Sequence, residues 1–257
     1  QLPKLKPCSE TSIIYTWDIE PRPRGYWTPG NYWQSLVCER PNITADWTVS
    51  CLRNSTVWIF GDSNGWALIN TLSNLTEVEN NSGSWPYQFI RRDKINGITF
   101  RFTPIEYPVY LGQVWRPRLP YGGVAKQIDE ISSNGTHFLV IHYYMHLAPS
   151  HLNIAYLRLT AVRDAIQRLL ARNPNVVVGI RGPHVSSFEF NFNHAVGGDN
   201  LGTYLLEMIR HVFVDLRHKV IFLDGWEKTI ALANSWYHPD EMVPLDLART
   251  LLTFKCS

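Results

Sequence analysis

A serine hydroxyl becomes an acyl-transfer nucleophile when a base removes its proton as it attacks. Two distant segments of this chain supply that combination. Val57-Trp58-Ile59-Phe60 is a short β-branched and aromatic run that stops on Gly61-Asp62-Ser63. A run of this kind bounded by glycine predicts a buried strand. A serine on the turn that follows is presented at the C-terminal edge of the sheet, where open α/β proteins bind their ligands. Trp236-Tyr237-His238-Pro239, close to the C-terminus, supplies a histidine for the proton. Ser63 is therefore the candidate nucleophile and His238 the candidate base. Backbone N–H groups at the turn, that of Ser63 included, are candidates for holding an oxyanion. The same residue types also cap helices, so Asp62 or Ser63 equally fits a plain helix start.

Other groups fall near the same predicted edge. Asp62 and Asn64 flank Ser63, and His142 and His146 follow a predicted strand over 138–141. Arg181 ends another and is read either as a site for an anionic group, such as a sugar carboxylate, or as half of a salt bridge. His142, His146 and His151 cluster in sequence, but their spacing lacks the glutamate of the helical zinc-protease motif and no Cys-x-x-Cys accompanies them, so no metal is expected. An acid to orient His238 is harder to place. Position 235 is a serine and position 234 an asparagine, leaving Asp224, or Asp240, to serve from elsewhere.

The elements that would position these groups alternate along the chain. Apolar runs at 57–60, 98–102, 138–141, 176–180 and 220–223 predict five strands. Helices are expected after Ser63, over 124–131, across 159–172, over 204–216 and over 245–252. Strands alternating with helices predict a mostly parallel sheet covered on both faces. Residues 1–55, rich in Pro, Trp and Tyr, read as an irregular Cys-bearing collar packed on a main unit of 56–257, with Trp27, Trp33 and Trp47 filling its core. Residues 77–96 read as a polar surface excursion, with Arg91-Arg92-Asp93-Lys94 solvated, and 105–122 as a long loop on the ligand side.

The ordered motifs resemble the NXPE (neurexophilin and PC-esterase domain) family, in the PC-esterase branch of the SGNH/GDSL hydrolase clan. The resemblance runs over roughly residues 20–257. It rests on Arg24-Gly25-Tyr26-Trp27, Trp33 to Cys38, Cys51-Leu52 before Gly61-Asp62-Ser63, and Tyr156-Leu157-Arg158-Leu159. Arg168 to Pro174, Asp224 to Thr229, the late His238-Pro239 and the ending Leu251 to Cys256 complete it. It implies a three-layer α/β fold and acyl-ester chemistry on glycans. The resemblance makes Ser63 and His238 catalytic and His146 an oxyanion or substrate contact; this chain's own residues add Asp224 as a stand-in acid and Asp62, Asn64 and Arg181 as further oxyanion or substrate contacts. Two departures from the family pattern stand out: Ser235 where the clan places an Asp, and Asn64-Gly65-Trp66 where the family places Thr and a nearby Arg. They keep open the alternative of an inactive binding or structural module. No cofactor is implied, except an acyl donor such as acetyl-CoA if the reaction is a transfer.

Bulk properties narrow the class. With 24 Lys and Arg against 22 Asp and Glu, the net charge of +2 gives no electrostatic case for nucleic acid or anionic membrane. No apolar run reaches the length of a membrane span. Asn42, Asn54, Asn74, Asn80 and Asn134 each begin an N-x-S/T sequon. With four cysteines they predict a secreted or lumenal glycoprotein; glycan partners are what the family resemblance implies. Cys8, Cys38, Cys51 and Cys256 allow three pairings, and Cys256 is expected to tie the last helix to one of the early three.

Overall fold

Each of the five apolar runs forms a parallel-paired strand of one sheet, and in the inner strands alternate residues serve the two cores on opposite faces. The structure, a computed structural model, describes residues 4–18, 23–76, 78, 88–105, 123–148, 150–186, 198–234 and 236–256. β3 (Ser55–Gly61) is central, paired in parallel with β5 (Ile98–Pro104) on one side and β6 (Thr136–His142) on the other. β7 (Val177–Arg181) and β8 (Val220–Leu223) extend the sheet beyond β6. On one face Val57, Ile59, Phe138, Val140, Ile221 and Leu223 pack under α1 (Ala45–Leu52), α2 (Ser63–Leu75) and α7 (Met242–Thr253). On the other, Phe60, Leu139, Ile141, Val178, Ile180 and Phe222 pack under α3 (Val124–Asp129), α4 (Leu152–Arg172) and α5 (Asp199–Val212). The result is the three-layer α/β arrangement that the strand pattern predicts.

Strand order explains where a site can form. The chain leaves β3 for β5, then returns past β3 to β6, and continues outward to β7 and β8. The progression therefore reverses between β3 and β6. At such a switch point the connections diverge to opposite faces and leave a crevice at the carboxyl ends of the strands. Gly61-Asp62-Ser63 and His142 sit at that crevice.

Three expectations need correction. The sheet has six strands, because β4 (Phe89–Asp93) pairs antiparallel with β5 at the edge, inside the stretch read as a surface excursion. Arg91 on that strand is buried, and its Nη1 donates to Asn70 Oδ1 at 2.8 Å and Ser73 Oγ at 3.0 Å. Its guanidinium lies 4.3 Å from the Phe89 ring centre, so hydrogen bonds and a π-face replace water. The N-terminal segment is also less irregular than expected. It holds the hairpin of β1 (Gly25–Trp27) and β2 (Trp33–Ser35), and α1, whose first turn is capped by Thr44 Oγ1 accepting from Trp47 N. A further short helix, α6 (Trp226–Ala231), follows β8.

The N-terminal segment is packed into the rest of the chain. Trp17 is 2% exposed, stacks near Phe213 and Phe222, and donates its Nε1–H to Val220 O at 2.6 Å. Trp33 is buried, and Trp27 meets it edge-on while donating to Lys228 O; Trp47 packs, partly buried, on the core under α2 and α7. The disulfides are Cys8–Cys38 and Cys51–Cys256. The second joins the end of α1 to the residues after α7, so the early partner of Cys256 is Cys51. Asn42, Asn54, Asn74 and Asn134 are exposed. Asn80, Ser235 and most of the 105–122 loop, Trp115 among it, lie outside the described residues.

Candidate active site

Ser63 is the first residue of α2, and a close approach of helix to strand holds it there. A Cβ on Gly61 would sit 2.9 Å from Gly65 Cα, so the strand end and the first helical turn meet with no room for a side chain. Asp62 is the N-cap, its Oδ1 accepting from Asn64 N at 2.8 Å. Its Oδ2 accepts from Met145 N at 3.0 Å, which ties the Ser63 turn to the turn after β6.

His238 arrives from the other end of the chain, 175 positions away, and its Nε2 lies 2.7 Å from Ser63 Oγ. With the proton on Nδ1, Nε2 accepts the Ser63 O–H. Two groups fix the loop that carries it. Asn64 Nδ2 donates to Tyr237 O at 3.1 Å, and His184 Nε2 to the same carbonyl at 3.2 Å. Burial pulls the His238 pKa below its ordinary value, against the attraction of Asp62, so the ring is a neutral base at pH 7.

A buried polar cluster lies beneath the pair. Asp62, His142, Arg181 and His184 are all at or below 1% exposure. Burial pushes the Asp62 carboxyl up, but His142, His146, the Asn64 N–H and Arg181 outweigh it and hold the pKa at about 2. Burial pulls Arg181 down to about 10, with Asp62 opposing. Arg181 Nη1 donates to Asn64 O, while its Nε and Nη2 have no hydrogen-bond partner among the described residues.

His142 is caught between two acceptors. Its Nδ1 lies 3.2 Å from Arg181 O and its Nε2 3.5 Å from Asp62 Oδ1. A neutral imidazole carries one N–H, so either tautomer leaves one ring nitrogen facing an oxygen without a proton between them. Only the imidazolium would serve both. Burial opposes that form and lowers the pKa to about 4, against the pull of Asp62.

The residues assigned from sequence therefore divide. Ser63 and His238 are brought into contact. Asp224 is not near them in function: its Oδ2 pairs with Arg24 Nη2 and its Oδ1 accepts from Trp226 N at 2.9 Å. Asp240 caps the approach to α7, its Oδ1 accepting from Met242 N. Among the described residues no carboxylate forms an ion pair with His238. Asp62 is a buried anion and cannot stabilise an oxyanion. Asn64 holds the His238 loop, and Arg181 is sealed at 1% exposure, away from any sugar carboxylate. His146 is buried and directs Nδ1 to Ile105 O at 3.0 Å. His151 caps α4 through Nδ1, so the three histidines considered for zinc are directed to separate backbone groups. His184 was not singled out in sequence; its position just past a strand end, on the ligand edge, was the available signal.

A family model described as NXPE family member 4-like, C-terminal domain, matches residues 33–256. The chain belongs to the NXPE family. In this NXPE domain the Gly-Asp-Ser and His-Pro motifs carry the one serine–histidine side-chain contact found among the described residues. It contains two disulfides, and among the described residues no helix is long and apolar enough to cross a membrane.

Proposed function

We propose that this NXPE domain is a glycan-directed acyl-ester enzyme, an O-acetylesterase or O-acetyltransferase, working in the secretory pathway or outside the cell. The observation that supports it is the 2.7 Å contact of Ser63 Oγ with His238 Nε2 at the start of a thirteen-residue helix. Ser63 Oγ attacks the acyl carbonyl carbon while Nε2 takes its proton. The carbonyl oxygen becomes an anion beside the first-turn N–H groups of the helix that Ser63 begins. Collapse breaks the bond to the leaving oxygen, or to sulfur for a donor such as acetyl-CoA, and His238 returns the proton to it. Water or a sugar hydroxyl then gives its proton to His238 and attacks the acyl-serine; the acyl–Oγ bond breaks, His238 returns the proton to Ser63 Oγ, and acid or acylated sugar is released.

The neutral His238 favours the first proton transfer, and the imidazolium formed next is stabilised by the buried charge of Asp62 rather than by a hydrogen-bonded acid. That arrangement is weaker than a full triad, whose carboxylate is worth about four orders of magnitude in turnover. The same gap supports the second reading, an inactive module that binds glycans. A fluorophosphonate probe separates the two. Labelling that is lost in Ser63→Ala supports the enzyme, whereas an unlabelled wild-type protein that still retains glycans supports the module.

A further inference from the structure

Trp236 is the one tryptophan among the described residues that stands exposed, at 66%. An indole is large and apolar, and leaving its face in water forgoes most of the burial such a ring normally gains. It is placed two residues before His238, on a loop fixed at several points. Asn64 and His184 both bond the Tyr237 carbonyl, and Trp236 N donates to Asn234 Oδ1 at 3.2 Å. The Tyr237 ring is itself 37% exposed and lies 4.6 Å from the His238 ring, centre to centre. The turn into this loop holds Ala233 at φ 52, a left-handed conformation that an alanine adopts at a cost. An exposed aromatic rim on a loop whose backbone is held by hydrogen bonds beside a reactive histidine is preorganised, because little backbone freedom is lost when something settles on it.

We propose that Trp236 is the floor of a sugar subsite, where a pyranose ring of the acylated or acceptor glycan stacks on the indole face. The proposal rests on the acyl-ester reading of Ser63 and His238. The weakly positive C–H hydrogens of a pyranose face match the negative face of an aromatic ring, while its hydroxyls stay in water or find polar groups at the edge. The exposed acidic residues Asp240 and Glu241, just past His238, suit that ligand. They accept hydrogen bonds from sugar hydroxyls, and they repel the phosphates of a coenzyme A donor, whose adenine is the other flat group able to stack there.

The test compares two esters in the wild-type protein, Trp236→Ala and Trp236→Phe. Acetate release is followed by titration with ethyl acetate, which has no ring, and with methyl tetra-O-acetyl-β-galactopyranoside. The ratio of kcat/KM for the pyranoside over that for ethyl acetate should fall about three- to tenfold in Trp236→Ala, the range of one aromatic contact. It should recover in Trp236→Phe. An unchanged ratio in Trp236→Ala overturns the subsite. Saturation-transfer NMR with methyl β-galactopyranoside on Ser63→Ala needs no turnover, so it tests the subsite even if the acyl-ester reading fails. Sugar signals that vanish in Ser63→Ala/Trp236→Ala support the proposal. Equal signals in both proteins, or a Trp236-dependent contact seen for coenzyme A but not for the sugar, overturn it.

Discussion

Two buried charge clusters in this chain are built by different rules. At the junction of the N-terminal segment with α6 and α7, three cations meet three carboxylates. Arg24 pairs with Asp224 and Glu227, Arg40 with Asp246, and Lys228 Nζ lies 3.5 Å from Asp246 Oδ2. Arg40 Nη2 also donates to Thr250 Oγ1, and Lys228 Nζ to Asp224 O. Beneath Ser63, one carboxylate, Asp62, serves an arginine and two fully buried histidines. Among the described residues, Arg181 Nε and Nη2, with three N–H bonds between them, and His184 Nδ1 have no hydrogen-bond partner. In the first cluster each charge has an opposite charge beside it, and such pairs clamp segments together. The second holds surplus donors in low dielectric, which is costly and is tolerated where a side chain has to be held in one protonation state.

Substitutions sharpen that contrast. The largest effect is expected at the contact itself: Ser63→Ala or His238→Ala should lower acetyl-ester turnover by about a thousandfold or more, read by acetate release, with the unfolding midpoint little changed. Asp224→Asn should do the opposite. Removing one partner of a buried pair costs about 3–5 kcal/mol, visible in urea unfolding, while the acidic limb of the pH–rate profile should stay where it is. A shift of that limb in Asp224→Asn would return Asp224 to the role of acid and erase the distinction between the clusters.

The two clusters should also respond differently to acid. His142 has a folded pKa of about 4 against an ordinary 6.5, and His184 is likewise depressed, both chiefly by burial. The unfolded chain therefore binds protons that the folded chain does not, and stability rises with pH across that window. Melting temperature should climb between about pH 4 and 6.5 and flatten above it, as both groups are then neutral in either state. In His142→Gln the climb should be shallower; an unaltered slope would mean that the cluster is not what titrates.

The smallest effect concerns the braced loop. Asn234 N bonds Thr229 O and Ala233 N bonds Ile230 O, a helix ending that favours glycine in the left-handed position. Ala233→Gly should raise stability by about 0.5–1 kcal/mol, measured by thermal unfolding. A loss of stability would show that the alanine methyl group contributes packing that outweighs its strain.

The strands were readable because their signal is local. A run such as Phe138-Leu139-Val140-Ile141 carries both faces of the sheet within four residues, and the helix over 159–172 shows its apolar stripe in the same way. β4 escaped because its strand carries Arg91, Arg92 and Asp93, and it takes the contacts of α2, Trp66 among them, and of Phe89 to make Arg91 a core residue. Ser63 and His238 were legible as types in a motif order. Their contact, the choice of Cys51 for Cys256, and the capture of Asp224 by Arg24 join residues about 175 to 205 positions apart. The sequence alone determined a sheet covered on both faces and a serine at the end of one of its strands, since periodicity acts within a few residues. Which charge neutralises which, and what stands beside the histidine, was decided only in the folded chain, because a buried ion's energy depends on every group that packing brings within a few ångströms.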